Sequence, residues 1–378
     1  MNNRIYLDNN ASTCVDPKVA RAVKVALEEY CGNPSSTHFY GQQARNAVSD
    51  ARSTVAAFLG VDPDEVIFTS GGTEAANLAI RGILGADAGG HIITSDGEHA
   101  AVSRTVEMMQ QSGYEVSFLP IGSDGAVTAK AVREALRSDT RLIILIGANN
   151  ETGVKTDVEA VAAVAQEAAV PFIVDTVGWV GKELFPLCEG ISGLCVSGHK
   201  LHAPKGIGCL CLRRNVKIVP FLLGGPQERG LRAGTENVPG IVGLAEAISI
   251  CRQELPAATQ RMAALRNRLE QGLMEKISGV VINGTGERIC NTTNIAFPDV
   301  DGETLLMALD LEGIAVSHGS ACTSGAWEPS HVLINMGFPM ERVVSSLRFS
   351  LSRFTTPQEI DHTIDVIVKI TMRLSELN

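Results

Sequence analysis

Early in the chain, apolar residues fall at Val48, Ala51, Val55 and Phe58, the three- and four-residue spacing of a helix with one buried face. A short, largely β-branched run follows, Val66-Ile67-Phe68-Thr69, and leads straight into Ser70-Gly71-Gly72-Thr73-Glu74. This segment reads helix, strand, glycine turn, helix. The alternation continues with strand-like runs at 92–94, 116–118, 142–146, 172–174 and 194–196, and helix-period segments lie between most of them. The pattern predicts an α/β fold, a mostly parallel sheet flanked by helices.

Two longer helix-period stretches, about 237–253 and 257–278, are separated by Pro256. Beyond them come strands and helices that no longer alternate. The expected division is a large domain over 12–256 and a smaller α+β domain formed by 1–11 and 257–378. At 378 residues the chain is long enough for each to bury its own core. Internal repeats, low-complexity tracts and charge blocks are missing, which argues against a solenoid, a tail or a flexible linker.

Composition narrows the partners. Hydrophobic residues make up 45% and charged residues 20%, ordinary globular usage. A formal net charge of -10 repels phosphodiester backbones and anionic lipid surfaces, so nucleic acid and membrane are not expected partners. The sequence lacks an apolar run of about 18 residues, the length that spans a bilayer. Residues 1–10 lack the apolar stretch of a secretion signal. A soluble, cytoplasmic protein is the expectation. The nine cysteines are an odd count with no CxxC pair, the pattern of neither a disulfide framework nor a zinc site, and no metal is expected. Cys195, Cys209 and Cys211 sit in apolar runs, where a thiol behaves as a small hydrophobe.

Candidate chemistry begins at Ser197-Gly198-His199-Lys200, which follows an apolar strand run. Open α/β sheets bind ligands beyond the carboxyl ends of their strands, and a lysine desolvated there can form a Schiff base with an aldehyde such as pyridoxal phosphate (PLP). A solvated surface lysine is the alternative. Asp175 ends the run Pro171-Phe172-Ile173-Val174, where a buried carboxylate can keep a pyridine nitrogen protonated; a lone strand-end aspartate can equally be a helix cap. Gly71-Gly72-Thr73 would let backbone amides approach a phosphate at a helix N-terminus, or would simply make a tight turn. His99 lies at the same sheet edge, able to stack on a ring and move protons, or to serve structure alone. Arg348, in Leu347-Arg348-Phe349-Ser350-Leu351, has a fork suited to a carboxylate, and a strand arginine also pairs with neighbouring acids. Finally, Cys322 stands amid the small residues of Ser317-His318-Gly319-Ser320-Ala321-Cys322-Thr323-Ser324-Gly325. This reads as a mobile loop presenting a thiol, or as an ordinary surface loop with an incidental cysteine.

Together these residues resemble the cysteine desulfurases of the class V aminotransferase family, in the branch with a long active-site loop (group I). The resemblance spans nearly the whole chain: Tyr6-Leu-Asp-Asn-Asn-Ala11, Gly32-Asn-Pro-Ser-Ser36, Thr69-Ser-Gly-Gly-Thr-Glu74, Glu98-His99, Ala148-Asn-Asn-Glu-Thr-Gly153, Ser197-Gly-His-Lys200, Glu228-Arg-Gly-Leu-Arg-Ala-Gly-Thr235 and Gly319-Ser-Ala-Cys-Thr-Ser324. It implies a PLP-dependent transferase of fold type I that converts L-cysteine to L-alanine. By that resemblance Lys200 is the Schiff-base lysine, Asp175 meets the pyridine nitrogen, His99 stacks on the ring, and Asn150 lies near cofactor and substrate. Arg348 would hold the substrate carboxylate. Gly72, Thr73, Ser197 and His199 would hold the phosphate, with Thr235 reaching in from the second subunit of a homodimer. Cys322 would receive the sulfur as a persulfide and pass it to an acceptor protein, of an iron-sulfur scaffold or tRNA-thiolation type.

Four positions depart from the family pattern. Gly178 stands where the family usually has a glutamine that donates to the PLP phenolic oxygen, so Trp179 or another polar neighbour would have to substitute. Leu223 replaces a histidine, Pro226 a glycine, and His318 a serine. Two other functions remain open: a PLP lyase or aminotransferase acting on another amino acid, and a weakly active sulfur-relay scaffold.

Overall fold

The fold is a computed structural model that describes residues 4–85, 89–319 and 328–375. The strands among the described residues are β1 (Ile5–Tyr6), β2 (Val66–Thr69), β3 (His91–Ser95), β4 (Glu115–Leu119), β5 (Thr140–Ile146), β6 (Phe172–Asp175), β7 (Gly193–Ser197), β8 (Gly208–Leu212), β9 (Val281–Ile282), β10 (Thr292–Ala296), β11 (Ile314–Ala315) and β12 (Ser346–Ser350). Seven of them form one sheet in the order β2-β8-β7-β6-β5-β3-β4. From β4 to β7 every neighbouring pair is parallel, and β8 runs antiparallel to both β7 and β2. The mostly parallel α/β sheet read from the sequence is therefore the observed one.

Burial explains why those runs read as continuous. Every residue of β2, β3, β6, β7 and β8 is buried, because helices cover both faces of the sheet. On one face Phe172, Val174, Leu194 and Val196 join residues of α1 (Pro17–Glu29) and α2 (Phe39–Leu59) in one apolar cluster. On the other, Ile173, Cys195 and Leu210 pack with α3 (Gly72–Leu84) and α4 (Ala100–Gln111). The edge strand β4 is different: Phe118 is 39% exposed.

The remaining strands make two small sheets. β9, β10 and β12 pair antiparallel in the order β12-β10-β9, and β1 pairs in parallel with β11. Leu7, Phe297, Leu347, Phe349 and Ile367 belong to a separate apolar cluster beneath them.

One element departs from the sequence reading. A single helix runs from Val238 to Lys276, 39 residues, with Pro256 inside it rather than between two helices. An interior proline costs about 3 kcal/mol. Its cost is offset because both halves are anchored: Ile241, Leu244 and Ile248 are buried before it, and Leu265, Leu269 and Leu273 after it. Each such side chain contributes roughly 1.5–3 kcal/mol on burial. Among the described residues, no helix is long and apolar enough to cross a membrane.

Candidate active site

Parallel strands end together, so the residues at the carboxyl ends of β5, β6 and β7 are brought side by side. A cavity of about 250 Å³ opens there. Ile146, Asp175 and Ser197 reach it from the three strand ends, Gly72 and Thr73 from the start of α3, and His99 from the start of α4. Asn150, His199, Lys200 and Arg348 line the same cavity, with Asn10, Ala11, Gly178 and Lys182 beside them.

Lys200 sits on the 3-10 turn Gly198–Lys200 that follows β7. Its Nζ donates to the carbonyls of Asn10 and of Ala11, the latter at 2.8 Å. The N-terminal segment clasps that turn: Thr13 N and Oγ1 both donate to the His199 carbonyl at 2.9 Å, and the His202 amide donates back to Thr13 Oγ1 at 2.9 Å. The lysine is thus aimed by a turn lying nearly two hundred residues earlier in sequence.

Asp175 is buried, and burial raises its pKa, opposed by the neighbouring charges of His99 and Lys200 and by a hydrogen bond from the Val177 amide at 3.0 Å. His99 caps α4, its Nδ1 accepting from the Ala101 amide at 3.0 Å. Behind it, Glu98 is fully buried and its pKa is pushed up by desolvation to about 8; Oε1 accepts from Ser95 Oγ at 2.5 Å and from the Ile146 amide at 3.0 Å.

At the opposite wall, Arg348 on β12 is 2% exposed. Its Nη2 donates to Asp8 at 2.7 Å and its Nη1 to the Asn150 carbonyl at 3.1 Å, while Nε has no partner. Two of the fork's donors are therefore engaged within the protein. His199 is pushed down to about 4, chiefly by burial and then by Lys200, and its Nδ1 lies 3.2 Å from Ser12 Oγ. A neutral His199 acts as a hydrogen-bonding group rather than a cation.

The cavity suits a flat ring carrying a phosphate. α3 begins without a side-chain cap, so its first amides lie open at the wall. Gly72 is required at that point: a Cβ there would stand 2.7 Å from Val177 Cγ2. An acid at one end and a lysine on the floor match the donors that a protonated pyridine nitrogen and an aldehyde need.

Two expected residues are not among the cavity's walls. Thr235 is exposed, and Cys322 lies outside the described residues. Of the departures, Leu223 is 81% exposed and, with Pro226, stands away from the cavity. His318 bonds the Val344 carbonyl through Nε2 at 2.9 Å. Gly178 lines the cavity, and a Cβ there would stand 2.4 Å from the Ala148 carbonyl oxygen, so a glutamine does not fit this backbone. Nor does Trp179 take its place: its Nε1 donates to the Leu184 carbonyl at 3.3 Å and its ring packs on Phe185. Motif reading overlooked Asn10, Ala11 and Lys182 as members of the wall. Lys182 had one available signal, a basic residue inside an otherwise apolar and glycine-rich stretch.

Fold and cavity together have the form expected of fold type I, PLP-dependent transferases. Comparison with known proteins narrows that class. The aminotransferase class-V family profile matches residues 5–363. A cysteine desulfurase of Nostoc sp. is 46% identical, over 99% of this chain and 94% of the relative. A solved NifS-like protein superposes with a TM-score of 0.91 at 36% identity, covering 97% of this chain and 99% of its own. The solved complex of SspA with cysteine gives 0.82 at 32% identity, over 93% and 100%. The chain belongs to the class-V aminotransferase family and, within it, to the cysteine desulfurases.

Proposed function

We propose that the protein is a PLP-dependent cysteine desulfurase, converting L-cysteine to L-alanine with transfer of the sulfur to Cys322 as a persulfide for an acceptor protein. The observation that carries this reading is the convergence of Lys200, Asp175, His99 and Arg348 on one cavity at the strand ends.

Bound there, PLP would supply an electron sink for negative charge at the substrate α-carbon. Asp175 would hold the proton on the ring nitrogen, and His99 would lie against the ring. Gly72, Thr73, Ser197 and His199 would hold the phosphate. Arg348 would bind the substrate carboxylate with Asn150 beside it, exchanging its contact with Asp8 or adding to it through Nε. The Asn10 and Ala11 carbonyls would orient Lys200, whose Nζ moves the α-proton. At Cys322 a bond forms between Sγ and the substrate sulfur as the Cβ–S bond breaks. The electron pair of that broken bond stays with the carbon fragment, which takes up a proton on the way to alanine.

The reading extends to assembly. In a homodimer, the partner subunit's Thr235 would complete the phosphate site, and its exposure on one chain fits that role. The division into a large unit over 12–256 and a small unit of 1–11 with 257–378 would put Arg348 and Cys322 on one unit and Lys200 on the other. Cytoplasmic location, and an acceptor of iron-sulfur scaffold or tRNA-thiolation type, complete the proposal.

The test is incubation of the PLP-loaded protein with cysteine and reductant, measuring alanine and sulfide. Lys200→Ala should lower alanine formation by at least about 10³-fold, the upper range for removing a proton-transfer group. Cys322→Ser should stop sulfide release. Cofactor binding without either product in the wild type would instead favour another amino acid substrate or a sulfur-relay scaffold.

A further inference from the structure

Two lysines share the cavity. Lys182 is 5% exposed and lines both the large cavity and a second one of about 20 Å³ behind it, as does Lys200. Its backbone is pinned, since its carbonyl accepts from Thr259 Oγ1 at 2.6 Å and from Cys290 Sγ at 3.3 Å. Its Nζ donates to no acceptor among the described residues.

We propose that Lys182 is a positioning residue for Lys200: its charge, held across the shared cavity with no counter-ion, lowers the proton affinity of Lys200 and keeps a larger share of it as the uncharged, nucleophilic amine. This deepens the desulfurase reading, and only the use made of that amine rests on it.

Like charges in a poorly solvated space repel, and repulsion is reciprocal. Burial, and then the charge of Lys200, push Lys182 down to about 8, so at neutral pH Lys182 is still mostly charged and acts back on Lys200. Against this stand the Asn10 and Ala11 carbonyls and Asp175, which favour the charged form of Lys200. Without Lys182 they would act unopposed.

The neighbours leave that repulsion uncancelled. Cys251 and Cys290, which flank Lys182, are raised by burial to about 11 and about 12 and stay neutral. His199 and His202 are both pushed down to about 4 by burial and are neutral as well. The nearby carboxylates are engaged elsewhere: Glu183 accepts from Lys155 at 3.1 Å and Glu254 from Arg353 at 2.5 Å. Arg348 is paired with Asp8, and His99 acts on the Asp175 side. Lys205 adds positive charge near His199.

The experiment is competitive acylation of the full-length chain, freed of cofactor, with limiting acetic anhydride between pH 6 and 10. Modification of Lys200 is read by peptide mass spectrometry against exposed Lys130. Lys182→Met should slow acylation of Lys200 about tenfold at pH 7.5, the effect of one pKa unit, and move its midpoint up. Lys182→Arg, a fixed charge, should keep the wild-type rate within about twofold, a separation that loss of packing alone would not give. Lys182→Gln repeats the neutral arm should Met disturb folding. Equal rates in wild type and both neutral variants, or a faster rate in Lys182→Met, would overturn the proposal. Because neither PLP nor cysteine is used, a failure of turnover would leave this result standing, and the reverse.

Discussion

The large sheet and the small antiparallel sheet are both buried, yet they are held together by different forces. In β5, β6 and β7 the buried side chains are almost all apolar: Leu142, Ile143, Ile144, Leu145, Phe172, Ile173, Val174, Leu194 and Val196. In β10 and β12 six of the ten buried positions are polar, Thr292, Thr293, Asn294, Ser346, Arg348 and Ser350, each at most 2% exposed. Side chains from outside the two strands bond several of them: Asn283 Nδ2 donates to Asn294 Oδ1 at 2.6 Å and to Ser346 Oγ at 2.8 Å, and Asn10 Nδ2 donates to Thr292 Oγ1 at 2.9 Å. Apolar burial is non-directional and supplies stability, whereas a satisfied polar network fixes orientation. The first region makes a platform. The second aims Arg348 and, through Asn10, Lys200.

Three measurements put that contrast under strain. The largest effect belongs to the platform. Phe172→Ala, a fully buried aromatic removed, should cost about 3–5 kcal/mol in urea unfolding. Catalysis by whatever fraction stays folded should change little; a kcat that collapses in the folded fraction would mean the platform also aims the site.

A smaller stability effect with a disproportionate kinetic one is expected at Asn10→Ala. This change removes donors to the Asn150 carbonyl at 3.0 Å and to Thr292 Oγ1, and should cost about 1–3 kcal/mol. Alanine formation should fall more than tenfold, because the carbonyls that hold Lys200 lose their anchor. An unchanged kcat would remove the small sheet from the chemistry.

The third is a pH effect at a buried acid beside the platform's strand ends. Glu98 is raised from 4.5 to about 8, so between those values the folded state holds a proton that the unfolded chain releases. Stability from this group is fully present below the unfolded pKa and is lost as pH rises through about 8. The slope is at most about 1.4 kcal/mol per pH unit. Urea midpoints at pH 5, 6, 7 and 8 should therefore decline less steeply for Glu98→Gln than for wild type; parallel curves would contradict a raised Glu98.

Legibility in the sequence follows the same divide. The platform's strands were readable because burial on both faces leaves uninterrupted apolar runs, and Asp175, Ser197 and Lys200 were readable because they end such runs. β1, β9 and β11 were not, since two-residue strands carry no period. The break expected at Pro256 did not occur, because local backbone preference yielded to the packing of both halves of the helix. Lys182 escaped notice for a related reason: a lysine in a glycine turn looks solvated until the chain folds over it.

The sequence alone determined the α/β alternation, the resemblance to cysteine desulfurases, and which residue types could do the chemistry, since those depend on order and spacing along the chain. Only the tertiary structure decided that Asn10 and Ala11 hold Lys200, that Asp8 pairs with Arg348, that Gly178 has no room for a side chain, and that Lys182 and Lys200 line the same cavity. Those contacts join segments up to 340 residues apart. Their energies depend on distance and burial in space, and neither is written in the local pattern.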